Sequence, residues 1–97
     1  MSDTEVDTRI DTVASTDVHL APPYKVILHN DDVNDMVRVV DVICRLTPLS
    51  REEATRKMLE AHYTGQSVLL VTHKERAELY VEQFASCRLT VTIEPDV

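Results

Sequence analysis

The chain has 97 residues, 43% of them apolar and 28% charged, the balance of one ordinary globular domain; a chain this short buries about 60–68% of its unfolded surface, enough for one modest core but too little for a deep cofactor cleft. A formal net charge of −7 argues against a nucleic-acid backbone or an anionic membrane as partner and favours a cationic one. The two cysteines, Cys44 and Cys87, form no CxxC pair, and Cys44 lies on an apolar stripe, the setting of a buried thiol rather than a reactive one.

In chain order, residues 1–23 come first. They hold five acids (Asp3, Glu5, Asp7, Asp11 and Asp17) against one base, Arg9, and end on Pro22-Pro23. With no aromatic residue and no sustained period, the stretch cannot bury enough apolar surface to offset its ordering entropy, and it is predicted to be a disordered acidic extension. It lacks the apolar run of a signal peptide, and the longest aliphatic run in the chain, Val68-Leu69-Leu70-Val71, is far short of a membrane span. A soluble protein of a reducing, cytoplasmic compartment is the expectation.

The folded domain is predicted over residues 24–97. YKVILH (24–29) is a β-branched run and reads as a strand. An acidic loop follows, and then Met36, Val39, Val40, Ile43 and Cys44 recur at helical spacing, with Asn34 or Asp35 as the expected cap and Thr47-Pro48 as the stop. Ser50 and Glu53 form a capping box that opens a second helix, with Ala54, Met58 and Ala61 on one side. Gly65, the only glycine, closes it. QSVLLVT (66–72) is the next strand. Thr72 and Glu75 read as another capping box, before a helix with Ala77, Tyr80, Val81, Phe84 and Ala85 on one face. RLTVTIE (88–94) alternates Leu89, Val91 and Ile93 as a half-buried strand. The order β-α-α-β-α-β predicts an α+β domain, an open α/β sandwich with a three-stranded sheet and three helices packed on one face.

The chemistry gathers in the first loop. HNDDVND (29–35) places Asp31, Asp32 and Asp35 within five residues. An acid near a first helical turn complements the macrodipole, which accounts for Asp35 and for Asp32, but Asn30 and Asp31 lie too far upstream for that. His62, near the end of the second helix, reads either as a dipole partner or as a nitrogen acceptor folded back beside the loop. Converging acceptors with net negative charge suit an ammonium group, such as the α-amine of a polypeptide. Asp31, Asp32, His29 and His62 also compete as metal ligands, although strand alternation turns His29 away and the spacing is unspecific. No metal or other cofactor is expected. With no Gly-rich phosphate loop, no nucleophile elbow and no Ser/His/Asp set, neither is an enzyme. Met36 and Met58 read as core filler, or, with Val39, Ala61 and Leu89, as the wall of an apolar hole beside the amine site.

YKVILHNDDVNDMVRVVDVI and RKMLEAHYTGQSVLLV together resemble the ClpS adaptor family, over residues 24 to 94. The resemblance implies a non-enzymatic, monomeric adaptor of N-degrons. It would bind substrates that start with Leu, Phe, Tyr or Trp and hand them to a Clp AAA+ unfoldase, of ClpA or ClpC type, paired with the ClpP peptidase. Asn30, Asp31 and His62 would hold the α-amine, and Asp32 and Asn34 would shape the loop and meet the first peptide groups. Met36, Val39, Met58, Ala61 and Leu89 would line the side-chain pocket, with Met36 as the gate against β-branched residues. Glu75 and Tyr80 would face the unfoldase, and the N-terminal extension would engage its pore in the bacterial cytosol or plastid stroma. Asn34, Asp35, Ala61 and Tyr80 stand where the family often has Thr, Pro, Val and Lys. The second reading is a ribosomal-stalk-like interaction domain of the same topology, which would work through a basic helix face; Arg56-Lys57 is the weak patch available for it.

Overall fold

The computed structural model describes residues 21–97, so nearly all of the extension expected over 1–23 lies outside the described residues. Six elements follow one another: β1 (Tyr24–His29), α1 (Met36–Leu46), α2 (Arg51–Thr64), β2 (Gln66–Thr72), α3 (Lys74–Ser86) and β3 (Val91–Pro95). Both of the first two strands have the bounds read from the sequence. The sheet is antiparallel, in the order β2-β1-β3, with β1 central. Val26 and Leu28 point to the helices and join the core with Ile43, Leu69 and Phe84. Lys25, Ile27 and His29 share the opposite face with Thr92 and Glu94, where Lys25 pairs with Glu94 at 3.1 Å.

Alternation along β2 breaks once. The ladder pairs Val26 with Leu70 and then Ile27 with Val68, skipping Leu69. This bulge lets Leu69 and Leu70 both pack on the core, a use of the VLLV run that strict period-2 reading does not anticipate. α1 also buries a wider arc than one stripe. Val42 is buried alongside Val40 and Ile43, because α1 packs on both α2 and α3. Cys44 and Cys87 are free, half-buried thiols packed against the core.

The helix ends differ from the sequence reading in three places. The Ser50–Glu53 box is present, with Glu53 N–H donating to Ser50 Oγ at 3.1 Å and Ser50 N–H to Glu53 Oε1 at 3.0 Å. The box expected at Thr72 is not formed. Thr72 is still paired with Tyr24 in the ladder, so the N-cap falls one residue later, on His73, without a side-chain cap bond. At α1 the N-cap is Asp35, and its carboxylate makes no cap bond either.

The last difference is the end of α3. Leu89 N–H donates to Phe84 C=O at 3.0 Å and Arg88 N–H to Ala85 C=O at 2.9 Å, with Arg88 at φ 65°. These are the two bonds of a Schellman motif, with an arginine at the left-handed position that glycine usually fills. The turn delays β3 until Val91, so Leu89 precedes the strand instead of belonging to it. It is nevertheless buried beside Phe84, the apolar contact that accompanies this motif.

Candidate functional site

Because β1 is central, its end is gripped from both sides. His29 N–H donates to Thr90 C=O and the next residue, Asn30, donates to Gly65 C=O, each at 3.0 Å. One bond anchors the acidic loop beside Leu89 and the other anchors it beside the C-terminus of α2. Gly65, at φ 101°, makes the left-handed turn that brings that terminus and His62 to the loop.

Between these anchors lies a cavity of about 170 Å³. Its apolar lining is Met36, Val39, Met58, Ala61 and Leu89, and its polar lining includes Asn30, Asp31, Asp32, Asn34 and His62. Every residue expected to form the amine rim, the loop or the side-chain pocket therefore borders one hollow. Leu28, which the sequence reading does not name, borders it too, as does His29, weighed there only as a metal ligand turned away by strand alternation. The inward alternation of β1 is the signal that would have found Leu28 as the floor. Met58, Ala61 and Leu89 are buried, whereas Met36 is 41% exposed and stands at the mouth. An apolar cavity of about 150 Å³ accepts a benzene ring, so this hollow is of the right order for one large side chain.

The rim is built by Asp31. Its Oδ1 accepts from the backbone N–H groups of Val33 (2.9 Å) and Asn34 (2.8 Å), and its Oδ2 accepts from Asn34 Nδ2 at 2.9 Å. Oδ1 is thus filled and Oδ2 keeps one lone pair. Burial pushes the Asp31 carboxyl up, but the hydrogen bonds from Asn34 and Val33, together with the Arg38 charge, outweigh it and hold the group below the usual carboxylate range. The stability these bonds add is present above the unfolded carboxyl value and lost only as pH falls through the lower folded one. The loop shaping expected of Asp32 is done by Asp31, and Asp32 is exposed at the rim.

Asn34 borders the cavity, but its side chain is spent within the protein. Both Nδ2 donors are used, on Asp31 Oδ2 and on Arg88 C=O at 2.9 Å, while Oδ1 accepts from Arg38 at 2.7 Å. No donor is left for a peptide carbonyl. His29 directs its Nε2 to Thr92 Oγ1 at 2.7 Å, on the open sheet face. His62 is exposed, and its ring meets Tyr63 edge-on with centroids 4.9 Å apart. Among the described residues no three His, Cys, Asp or Glu side chains converge as a metal site.

Of the two residues expected to face an unfoldase, Glu75 is exposed in the first turn of α3. Tyr80 is 3% exposed and sits in the core, with the Arg76 guanidinium over its ring at 5.4 Å. It belongs to the buried face of α3, which its spacing of three from Ala77 and four to Phe84 already described, and offers a partner almost no surface.

The family model described as ATP-dependent Clp protease adaptor protein ClpS matches residues 19–91. The chain belongs to the ClpS family. An ATP-dependent Clp protease adapter protein ClpS of Synechococcus sp. (strain CC9902) is 46% identical over 77 residues, covering 78% of this chain and 74% of the relative. The chloroplastic adapter CLPS1 of Arabidopsis thaliana is 38% identical over 78 residues, 79% of this chain and 49% of that protein. Among solved structures, Agrobacterium tumefaciens ClpS2 bound to L-phenylalaninamide superposes with a TM-score of 0.74 at 28% identity, over 77% of this chain and 98% of the other. Among the described residues of this chain no helix is long and apolar enough to cross a membrane.

Proposed function

We propose that this ClpS-family chain is an N-degron adaptor, not itself a protease. It binds polypeptides by a free α-amine and a bulky hydrophobic first residue and delivers them to a Clp AAA+ protease. The observation that carries this reading is one hollow bordered both by the polar Asn30, Asp31 and His62 and by the apolar Met58, Ala61 and Leu89. The ammonium takes the free lone pair of Asp31 Oδ2, with the Asn30 amide oxygen and a neutral His62 nitrogen as further acceptors. The first side chain fills the hollow, past Met36 at its mouth. Leu, Phe, Tyr and Trp are the residues that suit a space of this size.

The magnitudes fit an adaptor that selects and then releases. Burying a Leu or Phe side chain contributes about 1.5–3 kcal/mol, and each hydrogen bond to a charged amine about the same, so three bonds and one side chain give roughly 6–12 kcal/mol gross. After association entropy, a micromolar complex, near −8 kcal/mol, is the expectation on the order-of-magnitude scale. The exposed Glu75 end of α3 serves as the docking face for the N-terminal domain of a ClpA- or ClpC-type unfoldase, and residues 1–23 as the delivery extension. The chain acts as a monomer.

The test is a pair of peptides starting with Phe, one with a free amine and one N-acetylated. Acetylation removes the charge and leaves the acidic rim unpaired. Fluorescence anisotropy should show micromolar binding of the free peptide and at least a hundredfold weaker binding of its twin; equal affinities would end the reading.

A further inference from the structure

Arg38 lies on the first exposed turns of α1, outside the hollow, yet it closes a chain of bonds that ends at the rim. One guanidinium nitrogen donates to Asn34 Oδ1 at 2.7 Å and the other to Cys87 C=O at 2.8 Å. Asn34 in turn donates to Asp31 Oδ2 and to Arg88 C=O, both at 2.9 Å. The orientation of the Asn34 amide is fixed by these partners, since only its oxygen can face the guanidinium and only its nitrogen can face a carboxylate and a carbonyl. Cys87 is the C-cap of α3 and Arg88 the left-handed residue after it, so the guanidinium meets a carbonyl at the negative end of the α3 dipole. A planar, two-armed cation is suited to span an amide oxygen and such a carbonyl at once.

We propose that Arg38, acting through Asn34, is a positioning residue of the amine site, which locks the loop that carries Asp31 to the turn that carries Leu89. This deepens the amine-capture reading and rests on it. Two halves of the hollow come from segments more than fifty positions apart in the sequence, Asp31 on the first loop and Leu89 after α3. Besides the His29–Thr90 backbone bond and the His29–Thr92 side-chain bond, the Asn34–Arg38 pair ties these segments together near the rim. It orients the Asp31 carboxylate by occupying one lone pair of Oδ2, leaving the other for the ligand, and sets the distance from that oxygen to the Leu89 wall. His29 from β1, Asp32 from the loop and His62 from α2 border the same hollow as Asp31, and Arg38 from α1 reaches it through Asn34. Arg38 is the cation whose charge acts on the Asp31 carboxylate.

The test compares the full chain with Arg38→Met and Arg38→Lys. Two quantities are read: the affinity for a Phe-starting peptide against its N-acetylated twin, and the titration of the Asp31 side-chain carboxyl by carbon NMR in the free protein. Arg38→Met should weaken binding of the free peptide about tenfold, leave the acetylated twin unaffected, and move the Asp31 midpoint upward. Arg38→Lys keeps the charge but cannot bridge Asn34 and Cys87 together, so it should fall between, and it carries the test should Arg38→Met lower the melting temperature sharply. Loss of the charge alone moves the Asp31 midpoint in Arg38→Met, so the positioning role is read from Arg38→Lys, in which weakened binding at retained charge reports the lost two-armed bridge. If both variants keep the parent affinity and Asp31 midpoint, the positioning role is refuted while amine capture stands. If the parent chain itself binds both peptides equally, amine capture fails and this proposal fails with it.

Discussion

The starts of α1 and α2 are made of the same kinds of residue and use them differently. At α2, Ser50 and Glu53 satisfy each other's backbone donors, and the polar groups serve the helix. At α1, Asn34 and Asp35 stand ready in the sequence, yet neither caps it: Asn34 reaches Asp31, Arg38 and Arg88 instead, and the Asp35 side chain makes no cap bond. A helix start that forgoes its local satisfaction has given its polar groups another task. Here the task is to hold an acidic rim open over an apolar hollow.

The comparison can be broken hardest at Asp31. Asp31→Asn keeps an oxygen for the Val33 and Asn34 backbone N–H groups but removes the charge. Binding of a Phe-starting peptide should fall at least a hundredfold, about 3 kcal/mol, with a smaller loss of melting temperature from the broken Asn34 Nδ2–Asp31 Oδ2 bond. Calorimetric titration checks this, and an unchanged affinity would take Asp31 out of the site.

A smaller effect is expected at the mouth. Met36→Ala removes the half-exposed side chain at the edge of the hollow, and Ile- or Val-starting peptides should gain about tenfold, roughly 1.4 kcal/mol, relative to Leu. If anisotropy shows the parent's discrimination, Met36 is not the gate.

The two helix starts can then be compared directly by thermal or urea unfolding. Ser50→Ala should cost about 1 kcal/mol of stability and leave peptide affinity alone. Asp35→Ala, at the N-cap without a cap bond, should cost only a few tenths of a kcal/mol. Equal losses would mean that the α1 start is capped after all.

The mildest change sharpens the picture at the far side of the hollow. Arg88 holds a left-handed backbone at φ 65°, so Arg88→Gly should relieve strain and stabilise the domain by about 0.5–1 kcal/mol, seen as a raised urea midpoint. A lowered midpoint would show that the Arg88 side chain contributes more than its backbone costs.

Elements marked by local chemistry were legible in the sequence. β-branched runs gave both early strands their bounds, and the Ser50–Glu53 box and Gly65 marked both ends of α2. Ten of the residues that border the hollow could be named because helical spacing and the acidic loop put them on converging elements, whereas Leu28 and His29 could not. What stayed hidden depends on partners distant in the chain. Thr72 is claimed by Tyr24 in the ladder and not by the helix after it. Val42 is buried only because α1 has two neighbours. The α3–β3 turn carries no glycine to announce it, so Leu89 read as strand. Asn34 looked like a cap or a peptide contact, since nothing local points to the Arg88 carbonyl 54 residues away. Tyr80 read both as core and as a docking residue, and its burial settles it as core.

The most direct test of the central claim is a chemical-shift map of the free domain titrated with a Phe-starting dipeptide and with its N-acetylated form. With the free amine, the account predicts that the largest amide shifts fall on Asn30, Asp31, His62 and Leu89 together, and that acetylation abolishes them at matched concentration. Shifts confined to the Arg56–Lys57 face of α2, or the same map from both ligands, would contradict it.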